Sequence, residues 1–145
     1  MEKHLLQAAK RGDAEAQFNL GIIYENALDD SRYAIEGERP EALRWLLAAA
    51  EQGLLRAQIK LAEMYAAEPE IPENSVKACG WYLLATTGLR GARLREAQSA
   101  YQRASSRLTP SQIAEVRRFA QGWKPKAPTI AAVLDQPEMP EGGRA

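Results

Sequence analysis

One block of this chain is written twice. Leu5-Leu6-x-Ala8-Ala9-x-x-Gly12-x-x-x-Ala16-Gln17-x-x-Leu20-x-x-x-Tyr24 returns as Leu46-Leu47-x-Ala49-Ala50-x-x-Gly53-x-x-x-Ala57-Gln58-x-x-Leu61-x-x-x-Tyr65, every matched position shifted by the same 41 residues. A constant offset over so many positions marks a duplication, and a period of this length points to a helical solenoid. Inside each copy the apolar residues fall at helical spacing. Leu5, Ala8 and Ala9 make one stripe, Ala16, Leu20 and Tyr24 a second, and Gly12-Asp13 separates them. The predicted unit is therefore helix–turn–helix. Gly12 is expected to take the left-handed conformation that closes the first helix, and Asp13 to cap the second with its carboxylate. Gly53 repeats the closure. The small residues Ala8, Ala9, Ala16, Ala49, Ala50 and Ala57 let helix axes come close, while Leu20, Leu61, Tyr24 and Tyr65 fill the space between repeats.

Several function classes lose their support on composition. The chain has one cysteine, Cys79, and one histidine, His4. No intrachain disulfide and no thiolate zinc cage can be built from them, and a His-dependent triad has little to draw on. No run approaches the ~18 apolar residues of a membrane-spanning helix, and the first residues enter an amphipathic repeat without an apolar signal core. The expected compartment is the cytoplasm, with no membrane partner. The formal net charge of +0 hides a gradient. Residues 1–73 carry 8 Lys/Arg against 14 Asp/Glu, and residues 74–126 carry 10 against 2. Arg90, Arg93, Arg95, Arg103, Arg107, Arg117 and Arg118 dominate the second stretch, either as a solvated helix face or as a surface for an anionic partner.

The repeated positions resemble the Sel-one-like repeats, relatives of the tetratricopeptide repeats, whose unit reads A-x-x-W-x-x-x-A-A-x-x-G-x-x-x-A-x-x-x-L-G-x-x-Y. The second copy matches it at Ala42, Trp45, Ala49, Ala50, Gly53, Ala57, Leu61 and Tyr65, with Ala62 where the first copy has the family's Gly21. His4 takes the Trp position of the first copy, which assigns it a terminal packing role. A worn third copy follows: Trp81 to Tyr101 spans the same distance as Trp45 to Tyr65, and Ala78 and Ala85 match Ala42 and Ala49. Its glycine has slipped, with Gly88 and Gly91 flanking the expected place and Arg93 standing where Ala16 and Ala57 were. A departure from the standard turn is expected there, and a divergent last repeat suits a solenoid end that faces water. Thr109-Pro110-Ser111-Gln112 then reads as a capping-box helix start, with Ile113, Val116, Phe119, Ala120 and Trp123 covering the third repeat.

The fold implied is all-α: a right-handed α/α solenoid of three helix–turn–helix repeats, at about 1–27, 39–67 and 73–106, and a C-terminal capping helix at 110–123. Two stretches depart from it. Asn26 to Gly37 is a long acidic segment, either a contact loop or a second helix running further than usual. Residues 124–145 hold four of the eight prolines and are expected to be mostly irregular, apart from the apolar island 129–134, a candidate for docking or self-association.

Chemistry is sparse. Gly88-x-x-Gly91 is too short for a phosphate cradle, Thr86-Thr87 have no nearby base, adjacent Asp29-Asp30 in a loop are usually only solvated, and Cys79 is expected to be a buried inert thiol. No enzyme activity, metal or cofactor is expected. The resemblance implies an adaptor or scaffold that binds another protein or a peptide segment on the concave face lined by the first helix of each pair. Non-consensus positions on those helices are free to select the partner: Glu41, Arg44, Ala48 and Glu51 in the second repeat, Lys77, Tyr82 and Leu84 in the third, joined by Arg93. Nucleic-acid or anion binding by the Arg-rich third repeat is the alternative; no recognised nucleic-acid motif accompanies it.

Overall fold

The computed structural model describes residues 2–29, 38–69 and 71–126. Among them are seven α-helices and no strand: α1 (Glu2–Lys10), α2 (Ala14–Asp29), α3 (Glu38–Glu51), α4 (Leu55–Ala66), α5 (Pro72–Thr86), α6 (Gly91–Ser105) and α7 (Pro110–Gly122). The described residues pack as two compact units, one of those up to Leu54 with Pro125 and Lys126, the other of those from Leu55 to Lys124.

In the first unit α2 packs against both α1 and α3. The α1–α2 turn closes as the sequence predicts. Gly12 sits at φ 102°, its N–H donates to the Ala9 carbonyl at 3.0 Å, and the Asp13 N–H donates to Ala8 at 3.1 Å. This pair of bonds is the Schellman closure, which satisfies carbonyls that a helix end leaves orphaned. The end of α3 repeats it: Gly53 at φ 103°, Gly53 N–H to Ala50 at 3.0 Å and Leu54 N–H to Ala49 at 3.3 Å. Asp13 caps α2 through Oδ1, which accepts from the Ala16 N–H at 3.1 Å.

The core of this unit is Ala9, Ala16, Leu20 and Trp45, with Leu5, Leu6, Ala8, Tyr24 and Ala48 packed against it. Gly21 shows why the family position is small. A Cβ there would lie 2.6 Å from Leu46 Cγ, a side chain of α3 that is fully buried. The repeated glutamine also has a structural task. Gln17, buried, donates from Nε2 to the Ala9 carbonyl at 3.0 Å, while Gln52 Nε2 donates to Gly12 O at 2.8 Å and to Gln17 Oε1 at 2.9 Å. One amide pair thus ties the α1–α2 turn to the end of α3, at about 1 kcal/mol per bond.

In the second unit α5 is central and packs against α4, α6 and α7. Ala85, Leu89 and Ala97 form a buried cluster, covered by Leu55, Ile59 and Leu94. The turn after α5 departs from the other two. Thr87 and Gly88 N–H donate to Leu84 and Ala85, but buried Leu89 stands where the glycine would be, and no left-handed residue closes the helix. Threonine hydroxyls serve the loose carbonyls instead: Thr86 Oγ1 donates to Leu83 O at 2.6 Å and Thr87 Oγ1 to Leu84 O at 2.7 Å. The positive φ moves to Gly91, at 62°, the first residue of α6.

The Thr109 capping box forms in full: Gln112 N–H donates to Thr109 Oγ1 at 3.1 Å, and Gln112 Oε1 accepts from the Thr109 N–H at 2.9 Å. Along α7, Val116 is buried and Phe119 meets Trp81 edge-on, ring centroids 5.3 Å apart at 74°. This is the favoured arrangement of two ring quadrupoles.

Two details correct or decide sequence readings. His4 is exposed and has no core role, although Trp45 and Trp81 at the equivalent positions are buried. The helix preceding the Asn26–Gly37 segment does run on: α2 has 16 residues against the 12 of α4. Residues 30–37 of that segment, and with them the Asp29-Asp30 pair as a site, lie outside the described residues.

Candidate functional site

Glu41, Arg44 and Ala48 recur at three- and four-residue spacing on α3, which places them on one helix face. All three are half-buried. Arg44 Nη1 donates to Glu41 Oε1 at 2.7 Å, an (i, i+3) ion pair, and Ala48 touches the core of its unit. Glu51, the next position on that face, is engaged from the far end of the chain. Its carbonyl accepts the Lys126 N–H at 2.7 Å and its carboxylate meets Lys126 Nζ at 3.2 Å. The tail that follows, including the 129–134 island and its proposed self-association, lies outside the described residues.

The remaining predicted positions do not form one surface. Lys77 of α5 is exposed, with Nζ 5.2 Å from the centroid of the Tyr65 ring, a cation–π contact. Tyr82 and Leu84, each 6 % exposed, belong to the packed interior of the second unit. Their spacing from Lys77 gave no warning of this, because α5 is covered on several sides and carries buried residues from Ser75 to Ala85. Leu84 offers nothing to a partner. Arg93 is exposed in the first turn of α6, ten residues and about 15 Å of helix rise from Arg103.

Two concavities of the second unit were not foreseen. One, of about 160 Å³, lies between the end of α4, the start of α5 and the end of α6, lined by Ala66, Pro69, Ser75, Tyr82, Ala100, Arg103, Ala104 and Arg107. The other, of about 220 Å³, lies between α5 and α7 and is lined by Val76, Gly80, Trp81, Val116 and Phe119, with Lys77 and Glu115 at its rim. Its depth comes partly from Gly80, where a Cβ would stand 3.1 Å from Phe119. The sequence signal for the first was the Arg103–Arg107 spacing; for the second it was the capping helix, read only as a cover.

Cys79 is fully buried, 3.9 Å from the Tyr101 carbonyl, and burial pushes its thiol up to about 11. It is thus protonated and unreactive at neutral pH. Among the described residues no three His, Cys, Asp or Glu side chains gather as a metal site, and no helix is long and apolar enough to cross a membrane.

The Sel1 repeat family model matches residues 14–54 and 55–87, just over half of the chain. The chain belongs to the Sel1 repeat family. Each matched stretch is a helix pair inside one unit, α2–α3 in the first and α4–α5 in the second. Sel1 repeats are helical solenoid repeats that generally mediate protein–protein interaction, and Sel1-repeat proteins are typically scaffolds without enzymatic activity. No curated protein and no solved structure matches the chain.

Proposed function

We propose that this chain is an adaptor that holds a partner polypeptide through the first helices of its repeats, with Glu41, Arg44 and Ala48 of α3 and Lys77 of α5 as contacts. The observation that carries this reading is the family match combined with the division of labour along α3. Its consensus residues Ala42, Trp45, Ala49 and Ala50, and the duplicated Leu46, are all buried, which leaves the positions between them as the variable, water-facing chemistry of the helix. Tyr82 contributes only from the wall of its groove. Charged groups at such a surface set encounter rate and register more than bulk affinity.

The test is recovery of a partner from native source material, followed by reconstitution with purified components. Arg44→Glu and Lys77→Glu together are expected to weaken the reconstituted complex about tenfold or more while leaving the helical circular dichroism spectrum unchanged. An undiminished complex counts against this surface.

A further inference from the structure

The groove between the end of α4, α5 and α6 sets two arginines beside a small apolar wall. Arg103 on α6 and Arg107, just beyond the Ser106 C-cap, stand four positions apart on its wall. Both are exposed, and among the described residues neither guanidinium makes a salt bridge. Opposite them α5 presents Ser75 and Tyr82, seven residues apart and so on one helix face. The rest of the lining, Ala66, Pro69, Ala100 and Ala104, is small and apolar. The Tyr82 phenol is raised above its ordinary value by burial first and by Glu63 second, against the opposing effect of Arg103, and so remains a hydrogen-bond donor at neutral pH. Residues 88–124, which include this wall, hold eight Lys/Arg against two Asp/Glu.

We propose that this groove is a docking site for an acidic segment of a partner polypeptide, a glutamate or aspartate bound by Arg103 and Arg107 with a neighbouring apolar side chain seated against Ala100, Ala104 and Pro69. Charge complementarity names the occupant, because guanidinium groups bind carboxylates through charge-assisted and often bidentate hydrogen bonds. Size supports it: about 160 Å³ receives a side chain, whereas small-molecule pockets run to about 300–1,000 Å³. A nucleic-acid strand needs aromatic faces on which bases stack, and the one aromatic here, Tyr82, is 6 % exposed. The site rests on the adaptor reading but lies on other residues than the α3 and Lys77 contacts, so the two fail separately.

The full-length chain is titrated with a fluorescein-labelled octapeptide of alternating glutamate and leucine, with the same peptide carrying glutamine for glutamate, and with a dT oligonucleotide. The glutamate peptide is expected to bind and the glutamine peptide to bind at least tenfold more weakly. Arg103→Gln with Arg107→Gln is expected to weaken the glutamate peptide about tenfold or more, and Arg117→Gln with Arg118→Gln to leave it within about twofold. Circular dichroism checks that each exposed substitution leaves the fold intact. The proposal is overturned if the glutamate peptide does not bind, if the Arg117/Arg118 pair matters as much as the Arg103/Arg107 pair, or if the oligonucleotide binds the same arginines more tightly. Arg44→Glu with Lys77→Glu is expected to leave peptide binding unchanged; loss of the reconstituted partner complex in that variant alone reports on the adaptor surface, not on this groove.

Discussion

The turn that closes α3 and the turn that closes α5 join equivalent helices by different means. At Gly53 the closure is made by the backbone: a positive φ and two hydrogen bonds that need no side chain. After α5 the backbone bonds from Thr87 and Gly88 involve no positive φ and are joined by two threonine hydroxyls on the Leu83 and Leu84 carbonyls, with Leu89 buried where the glycine would be. The first solution fixes residue identity tightly and leaves nothing over. The second releases the glycine constraint and fills the turn with a core residue, so the repeat can diverge without losing its helix pair. That freedom is where the arginines and the α5–α6 groove appear.

The largest expected contrast is in the cores. Leu46→Ala removes a fully buried side chain packed at the α2–α3 approach and should cost about 3 kcal/mol. Val116→Ala on α7 should cost about 1–2 kcal/mol, both measured by urea denaturation. Gly21 and Ala62 occupy the same repeat position and sharpen the comparison next. Gly21→Ala forces a Cβ to 2.6 Å from Leu46 Cγ and should cost about 2 kcal/mol, whereas Ala62→Gly should cost about 1 kcal/mol through helix propensity. At the turns, Gly53→Ala should cost about 1 kcal/mol or more because alanine is strained at φ 103°. Thr87→Val, which removes one hydroxyl bond at the turn after α5, should cost less, about 0.5–1 kcal/mol. Equal costs at the two turns would remove the distinction.

The last contrast, silent near neutrality, is one of pH. The Cys79 thiol is raised from 9.0 to about 11, so between these values the unfolded chain binds fewer protons than the folded one. Its contribution to stability is complete below pH about 9 and declines as pH rises through about 11. Cys79→Ala should flatten that part of the alkaline stability profile, read as the denaturation midpoint against pH, and should change nothing in its shape near neutrality.

The repeated block made the first two turns legible because each of its residues answers to one local rule: a glycine for positive φ, a small residue for a close approach, a capping aspartate. The Thr109 box was legible for the same reason. What was missed depends on three-dimensional cover. Tyr82 and Leu84 read as free because they are off-consensus, yet α5 is packed by α4, α6 and α7, and no periodicity in α5 alone reports three neighbours. His4 read as packed because it takes the place of a tryptophan, yet it is exposed. Arg103 and Arg107 were visible as charge; that they share a groove with Ser75 and Tyr82 depends on how α5 and α6 meet.

The central claim is that repeated residues build the helices and unrepeated ones choose what they hold. It is tested most directly by measuring thermal midpoint and partner affinity together for Gly53→Ala and for Arg44→Glu with Lys77→Glu. The first variant should lower the midpoint and, well below it, keep affinity; the second should keep the midpoint and lose affinity. A charge variant that melts early with affinity intact, or a Gly53→Ala protein that stays fully folded but no longer binds, contradicts the claim.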